Sequence, residues 1–456
     1  MLNITVGDIV TAAGGKLLCG NAAQKIEHIS IDSRISLGND IFVPIIGEKV
    51  DAHNFIGQAL EAGCVAALTS EHTSAEGEKA WILVQDTVEA LHAIGRLCRS
   101  RVTIPAVGVT GSVGKTTTRE MIATALSAGR KVFKTSKNYN SRIGLPITLS
   151  EMTNEDDIAV LELGMNVPGE LGTISRLAQI SMAVVTNIGV AHMEFYGSRE
   201  ALCQEKLTIT TGLKEGGLVF LNGDDPLLMQ YRHTVDFPVI TYGTGEDCDY
   251  RAVDIHMEEG HYCFTLLHDG RSLPVKLSVL GIHNIGNACG ALAVADHCGV
   301  ALEEAAAALY QFTGFANRLQ RFEKDGLLVI DDTYNASPDS MKAGLDVLAG
   351  MNNSGRKIAV LGDMFELGKD SPAYHYQVGV HGAALKIDEM LLIGTLAKEI
   401  GRAMTDSGAQ CSVIYFDTKE EASAYLKKTA ASGDVVYIKA SNGMKLKEIT
   451  AALMEE

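Results

Sequence analysis

The chain is 456 residues long, with 39 Lys and Arg against 56 Asp and Glu, a net charge of −17, and 46% hydrophobic residues. At about 150 residues per domain, this length implies roughly three domains, each able to bury a core. The acidic balance argues against duplex nucleic acid or an anionic membrane as partner, because phosphate surfaces are held by Lys and Arg that release counterions. Nine cysteines, at 19, 64, 98, 203, 248, 263, 289, 298 and 411, form no CxxC and no His/Cys spacing of the zinc kind, which fits buried thiols in a reducing compartment. The opening residues MLNITVGDIVTAAGG show no basic region ahead of an apolar core, and no stretch reaches about 18 apolar residues. A soluble, cytoplasmic, monomeric protein is expected.

In chain order, residues 1–84 mix short β-like runs (ISIDSR, DIFVPIIG, VAALTS, WILVQD) with HNFIGQALEAGC, whose apolar residues fall at helical spacing. This predicts a small α/β domain. The segment 86–101, DTVEALHAIGRLCRSR, has apolar residues at 88, 91, 94 and 97 and a basic end, the pattern of an amphipathic helix joining two domains. From 102, VTIPAVGVTGSVGKTTTREMIATAL reads as strand, glycine-rich turn and helix, and the apolar runs DIAVLELG, MAVVTNIG and GGLVFLNGDD follow. Buried runs alternating with helical segments predict a mainly parallel, doubly wound sheet with helices on both faces. Between 237 and 280, FPVITYG, YCFTLLHDG and LPVKLSVLG predict an antiparallel extension, and GIHNIGNACGALAVADHCG a long helix. A boundary is expected near 314–318, in TGFANR. Beyond it five apolar strands, each followed by a helical stretch, predict a second doubly wound, Rossmann-like domain. The expected organisation is three α/β domains over 1–84, 85–314 and 315–456.

The strongest chemical signal is Gly111-Ser112-Val113-Gly114-Lys115-Thr116-Thr117. Glycines let backbone N–H groups wrap a phosphate, the lysine offers a point charge to its oxygens, and the threonine hydroxyl reaches Mg²⁺. The full GxxxxGK[ST] pattern wants glycine at 109, where this chain has Val109. A phosphate loop alone leaves a GTPase switch, an ATPase motor, a kinase and a ligase open. No NKxD-type guanine reader occurs, which counts against the first. Glu162 ends the run IAVLE and His192 follows MAVVTNIGVA, which places both at carboxyl ends of strands beside the phosphate loop. A carboxylate and a neutral imidazole there can hold Mg²⁺. Each also has a plainer reading, as a solvated strand-end glutamate and a structural histidine.

GSVGKTT, VLELGMN, TNIGVAHMEFYGS, GIHNIGNA, NRLQ, DDTYNASPDSM and LGDMFELG occur in the order, and at spacing similar to that, of the Mur ligases, the ATP-dependent amide-forming enzymes of peptidoglycan synthesis. The chain resembles that family over essentially its whole length. Its ELGMN, AHMEFYGS, DDTYNASP and GDMFELG look nearest to the member that joins D-alanyl-D-alanine to UDP-N-acetylmuramoyl-tripeptide. The resemblance implies ligation through an acyl phosphate, with UDP-MurNAc-tripeptide, D-Ala-D-Ala and ATP as substrates and a pair of Mg²⁺ ions. It makes Lys206, in QEKLTI, the counterpart of a lysine carried as a carbamate, which turns a cation into a metal-binding carboxylate. An exposed helical lysine is the alternative. Thr116, Glu162, His192 and Lys206 form the implied metal set, and Lys115, His192, Lys206 and Arg318 the implied catalytic set.

By the same resemblance Asn284 and Asn287 approach adenine, Arg318 reaches the γ-phosphate from the hinge, and Asp332 and Asn335 meet ribose and phosphates on domain closure. Ser33, Arg34, Phe42, Gly47, Asp51, His53 and Phe55 match the uridine-diphosphate stretch. There Arg34 pairs with diphosphate, Phe42 or Phe55 packs on the base, and Asp51 accepts from the uracil N–H. Asn138 and Asn140, in KNYNSRIGLP, match a peptide-binding loop, which here carries Ser141-Arg142 where relatives have Asn or Asp followed by Glu. KASNGM at 439–444 matches KGSRGM save at Ala440 and Asn442, and the lack of DNPR speaks against the ligase that adds the third stem-peptide residue. Two rivals stay open: folylpolyglutamate synthase, which shares the central and C-terminal logic without the front domain, and a non-catalytic ATP-binding protein.

Overall fold

Parallel-rich sheets flanked by helices, the α/β class expected from the sequence, make up the computed structural model, which describes residues 3–136, 138–190 and 193–455. The elements gather into two units, Met1–Thr110 with Arg130–Val184 and Glu205–Val219, and Gly111–Gly129 with Val185–Gln204 and Phe220–Glu456. Both units draw on the stretch 85–314, because strand Ala106–Thr110 lies in the first and helix Lys115–Leu126 in the second.

The first unit holds a five-stranded sheet in the order Lys16–Cys19, Ala80–Leu83, Ala66–Thr69, Asp40–Phe42, His28–Ser30, antiparallel at its first pair and parallel beyond. Helix Thr87–Ser100, started by the Asp86 carboxylate on the Val88 and Glu89 N–H groups, lays Leu91, Ile94 and Cys98 on a core with Ile9, Ile41 and Ile82. The expected amphipathic helix is therefore a wall of this core. Its basic end is not all solvated: Arg99 is buried and donates to the carbonyls of Ala178, Val102, Ile104 and Gln179, so it ties the helix end to neighbouring turns. Three parallel strands, Val132–Lys134, Ile158–Glu162 and Ala106–Thr110, complete the features of this unit that matter below.

In the second unit, Val239–Gly243 pairs in parallel with Tyr250–Glu258, and an antiparallel meander continues through His261–His268 and Arg271–Leu277. Helix His283–His297, rich in small residues, brings Gly290 close to the Tyr242 ring, where a Cβ would stand 3.0 Å from it. A six-stranded sheet follows in the order Gln320–Lys324, Leu327–Asp331, Val435–Lys439, Lys357–Gly362, Glu389–Ile393, Ser412–Phe416. Its first pair is antiparallel and the rest parallel. Helices Pro338–Gly350, Ser371–Ala383 and Ala397–Asp406 bury Met341, Leu345, Val378 and Ile400 in one core, and Lys419–Thr429 and Lys447–Met454 bury Leu426 and Ile449 in another. This is the expected doubly wound arrangement, with loops 332–337 and 440–446 at strand carboxyl ends. Among the described residues, no helix is long and apolar enough to cross a membrane.

Candidate functional site

The phosphate loop follows a fully buried strand and opens helix Lys115–Leu126. Val109 lies inside that strand, paired with Glu162, so the turn begins only at Gly111 and a glycine at 109 has no turn to make. Gly111 (φ 150°) and Gly114 (φ 83°) take the left-handed conformations the wrap requires. A Cβ at Gly111 would run into the Thr186 hydroxyl.

What holds the loop is the segment after strand Ile180–Val185. Asn187 accepts from Ser112 N–H through its carbonyl (3.0 Å) and from Val113 N–H through Oδ1 (2.9 Å), while Thr186 Oγ1 and Asn187 Nδ2 donate to the Val113 carbonyl. Asp225 in turn accepts from Ile188 N–H at 2.7 Å. The sequence reading had TNIG as the end of an apolar strand run and as part of a family string. Thr186 and Asn187 as clasps were missed, and nothing local signals a contact made across more than seventy residues.

The loop's own polar groups are only partly satisfied within the fold. Ser112 Oγ is buried without a hydrogen-bond partner, an orphan that a phosphate oxygen satisfies. Lys115 Nζ folds back onto the carbonyls of Gly111 (2.8 Å) and Ser112 (3.2 Å). Arg318 Nη2 donates to Thr116 Oγ1 at 2.9 Å, its guanidinium stacks on the Tyr334 ring at 4.1 Å, and its Nε is buried and unpartnered. Lys115, Thr116 and Arg318 thus stand together although 202 residues separate the last two. Thr117 is half-buried in the first helical turn.

Asn284 and Asn287 share one face of helix His283–His297. Asn284 is buried, donating to the Leu280 carbonyl and accepting from Asn287 Nδ2 at 2.8 Å. Asn287 carries its amide toward Gly114, 3.5 Å from where a Cβ would sit. Asp332 accepts from Lys439 Nζ (2.5 Å) and Tyr437 OH (3.0 Å) through Oδ2 and from Leu319 N–H through Oδ1. Burial pushes the Lys439 ammonium down, and the Asp332 carboxylate opposes that. Lys439 and Tyr437 therefore fix Asp332, a role that KASNGM did not announce. Asn335 is exposed, its Oδ1 on the Ala336 N–H.

Within the first unit, Glu162 is buried at its strand end, its N–H on Thr135 Oγ1 and its Oε1 accepting from Asn140 Nδ2 at 2.8 Å. The solvated reading of Glu162 is excluded. Asn140, expected to face the peptide, also donates to this carboxylate, while Asn138 is exposed. Lys206, near the end of helix Arg199–Leu207, is only 2% exposed, so the solvated-lysine alternative fails. His192 lies outside the described residues.

The uridine stretch is occupied with its own fold. Phe42 is 1% exposed and packs with Ile56, Ala59 and Leu60, so no base reaches it, and Phe55, 39% exposed, is the aromatic ring on offer. Arg34 is paired bidentately with Asp32 at 2.8 and 2.7 Å, which holds the Asp32 carboxyl down at about 2. Asp51 accepts from the His53 backbone N–H and from its Nδ1 (2.7 Å), and the backbone bond leads in lowering its carboxyl below the usual range. His53 Nε2 accepts from Ser70 N–H at 3.1 Å. Ser33 Oγ donates to Gln58, and the Gly47 N–H closes a turn on Val50.

Comparison with known proteins gives a consistent picture. Residues 109–295 match the Mur ligase middle domain, and 317–442 match the Mur ligase, glutamate ligase domain. The chain is 38% identical over its full length to 99% of the UDP-N-acetylmuramoyl-tripeptide–D-alanyl-D-alanine ligase of Bacillus subtilis. Among solved structures it superposes on MurF from Acinetobacter baumannii with a TM-score of 0.90, at 31% identity and 99% coverage of both chains. MurF from Thermotoga maritima, solved in complex with ADP, matches with a TM-score of 0.82 at 28% identity, covering 94% of this chain and 97% of that one.

Proposed function

The chain belongs to the Mur ligase family, and from that premise we propose that it joins D-alanyl-D-alanine to UDP-N-acetylmuramoyl-tripeptide, with ATP cleaved to ADP and phosphate. The observation that carries this reading is the Lys115–Thr116–Arg318 cluster, with its orphaned Ser112 hydroxyl, in a chain that matches ligases of that name from end to end. Whole-length matching that includes the front domain counts against a folylpolyglutamate synthase. The residues are grouped for use as a substrate domain over 1–84, an ATP domain over 85–314 and a ligase domain over 315–456, in a monomeric cytoplasmic enzyme.

The chemistry asks little covalent work of the protein. A terminal carboxylate oxygen of the tripeptide attacks the γ-phosphorus, the bond to the ADP oxygen breaks, and an acyl phosphate forms. The amine of D-Ala-D-Ala then attacks the acyl carbon, inorganic phosphate leaves, and the amine gives its proton to solvent. Lys115 turns from the Gly111 and Ser112 carbonyls to the phosphoryl oxygens, and Arg318 moves off Thr116 to the same charge. That exchange uncovers the Thr116 hydroxyl. As the family resemblance implies, Thr116, Glu162, His192 and a carbamylated Lys206 would hold Mg²⁺, which would neutralise phosphate charge. The burial of Lys206 and the orientation of Glu162 by Asn140 support that set. Asp332, fixed by Lys439 and Tyr437, and Asn287 hold the nucleoside, while Arg34, Asp51 and Phe55 hold the uridine diphosphate. Water kept from the acyl phosphate leaves the amine as its acceptor.

The test is product identity by mass. With ATP, UDP-MurNAc-tripeptide and D-Ala-D-Ala the protein should yield UDP-MurNAc-pentapeptide. A tripeptide substrate returned unchanged while ATP is hydrolysed would overturn the proposal.

A further inference from the structure

The meander of the second unit carries a cluster that the ligase chemistry does not use. Along strand Tyr250–Glu258 the ladder to His261–His268 is in register at Val253 opposite Thr265, then resumes one residue out, with His256 opposite Cys263 and Glu258 opposite His261. Asp254, at φ 52°, marks the irregularity. Without the extra residue His256 would face Tyr262, on the side of the buried Phe264 and Leu266. The bulge therefore moves His256 and Glu258 onto the face of Cys263, as bulges re-aim side chains elsewhere.

The three donors are set for a cation. One ligand atom from each of His256, Glu258 and Cys263 lies within 4.8 Å of the others, and Cys263 Sγ is 3.8 Å from Glu258 Oε2. His256 Nδ1 sits 2.7 Å from the Asp254 carbonyl, which only accepts, so Nδ1 carries the proton and Nε2 keeps a lone pair. That backbone bond is the device that fixes metal-binding histidines in other proteins. The Cys263 thiol, which points its Sγ at Glu258 Oε2, gives up its proton when a cation binds. Lys276 opposes the site: its ammonium is 4.0 Å from Glu258 and 3.5 Å from Glu259, and an entering cation shifts it toward the latter. We propose that this face of the meander binds a borderline-soft divalent cation of the Zn²⁺ class through His256, Glu258 and Cys263, with water as fourth ligand. Thiolate with imidazole selects such an ion over Mg²⁺ or Ca²⁺. Tetrahedral bonds of about 2.0–2.3 Å need donors about 3.5 Å apart, a closure within reach of side-chain rotation. As the ion binds, the thiol proton passes to solvent and the sulfur pair to the metal.

Co²⁺ titration of the metal-stripped full chain tests this, because a thiolate-to-cobalt charge-transfer band reports sulfur ligation and ignores an oxygen-bound ion at the ATP site. Wild type should give the band saturating at one equivalent, Zn²⁺ should abolish it, and Cys263→Ser should lack it. His256→Ala and Glu258→Gln should weaken binding about tenfold or more. Equal ligase activity in all three variants shows that each is folded and separates this proposal from the ligase reading. No band in wild type, a band unchanged in Cys263→Ser, or affinity untouched by the other two substitutions would overturn it.

Discussion

The phosphate loop was read from its own motif and the uridine stretch from a family resemblance, and the fold treats their residues differently. In the loop, Ser112 Oγ and Arg318 Nε are buried without partners, and Lys115 Nζ donates to the carbonyls of Gly111 and Ser112. In the front domain, Arg34 is already held by Asp32, Asp51 caps the turn at His53, His53 accepts from Ser70, and Phe42 fills the core. The first set keeps hydrogen-bonding groups that the fold leaves unused. The second doubles as structure, so substitutions there read out partly as stability, and the two effects need separate measurements.

Phe42 offers the largest effect. Phe42→Ala should lower unfolding free energy by about 3–5 kcal/mol, as for other buried aromatic truncations, measured by urea denaturation of the full chain. Phe55→Ala should leave stability nearly unchanged and raise KM for the UDP substrate. Should Phe42→Ala raise KM with stability intact, the assignment of the two rings is reversed. Lys115→Ala should lower kcat by about 10²–10³-fold, the scale of losing one charge-stabilising donor, with an unchanged melting temperature. Wild-type phosphate release from the folded variant would remove Lys115 from the site.

Lys206→Ala should lose most activity and regain part of it with added formate or acetate, since a short carboxylate supplies the lost anion. Full activity without rescue would end the carbamate proposal. The smallest effect is expected for Asp51→Ala, roughly a tenfold rise in KM for the UDP substrate with KM for ATP unmoved. An equal rise in both constants would show that Asp51 acts through the fold alone.

Much of the fold was legible because buried parallel strands read as continuous apolar runs, as in Ile158–Glu162 and Lys357–Gly362. Strand Gln320–Lys324 was not, since as an edge strand it alternates half-buried and exposed residues and carries Arg, Glu and Lys. The loop itself was legible through its glycines and lysine. Its clasps Thr186 and Asn187, and the grip of Lys439 and Tyr437 on Asp332, were not, because side-chain pairs 73 to 107 residues apart leave no local pattern. Val109 shows the converse: a departure from the motif that mattered in the string is neutral in the strand.

The central claim is that ATP cleavage is coupled to amide formation. The measurement that tests it most directly is phosphate release from ATP with UDP-MurNAc-tripeptide, in the presence and absence of D-Ala-D-Ala. The account predicts sustained release only when both are present, one phosphate per pentapeptide formed. Release that proceeds at the same rate without D-Ala-D-Ala would contradict it.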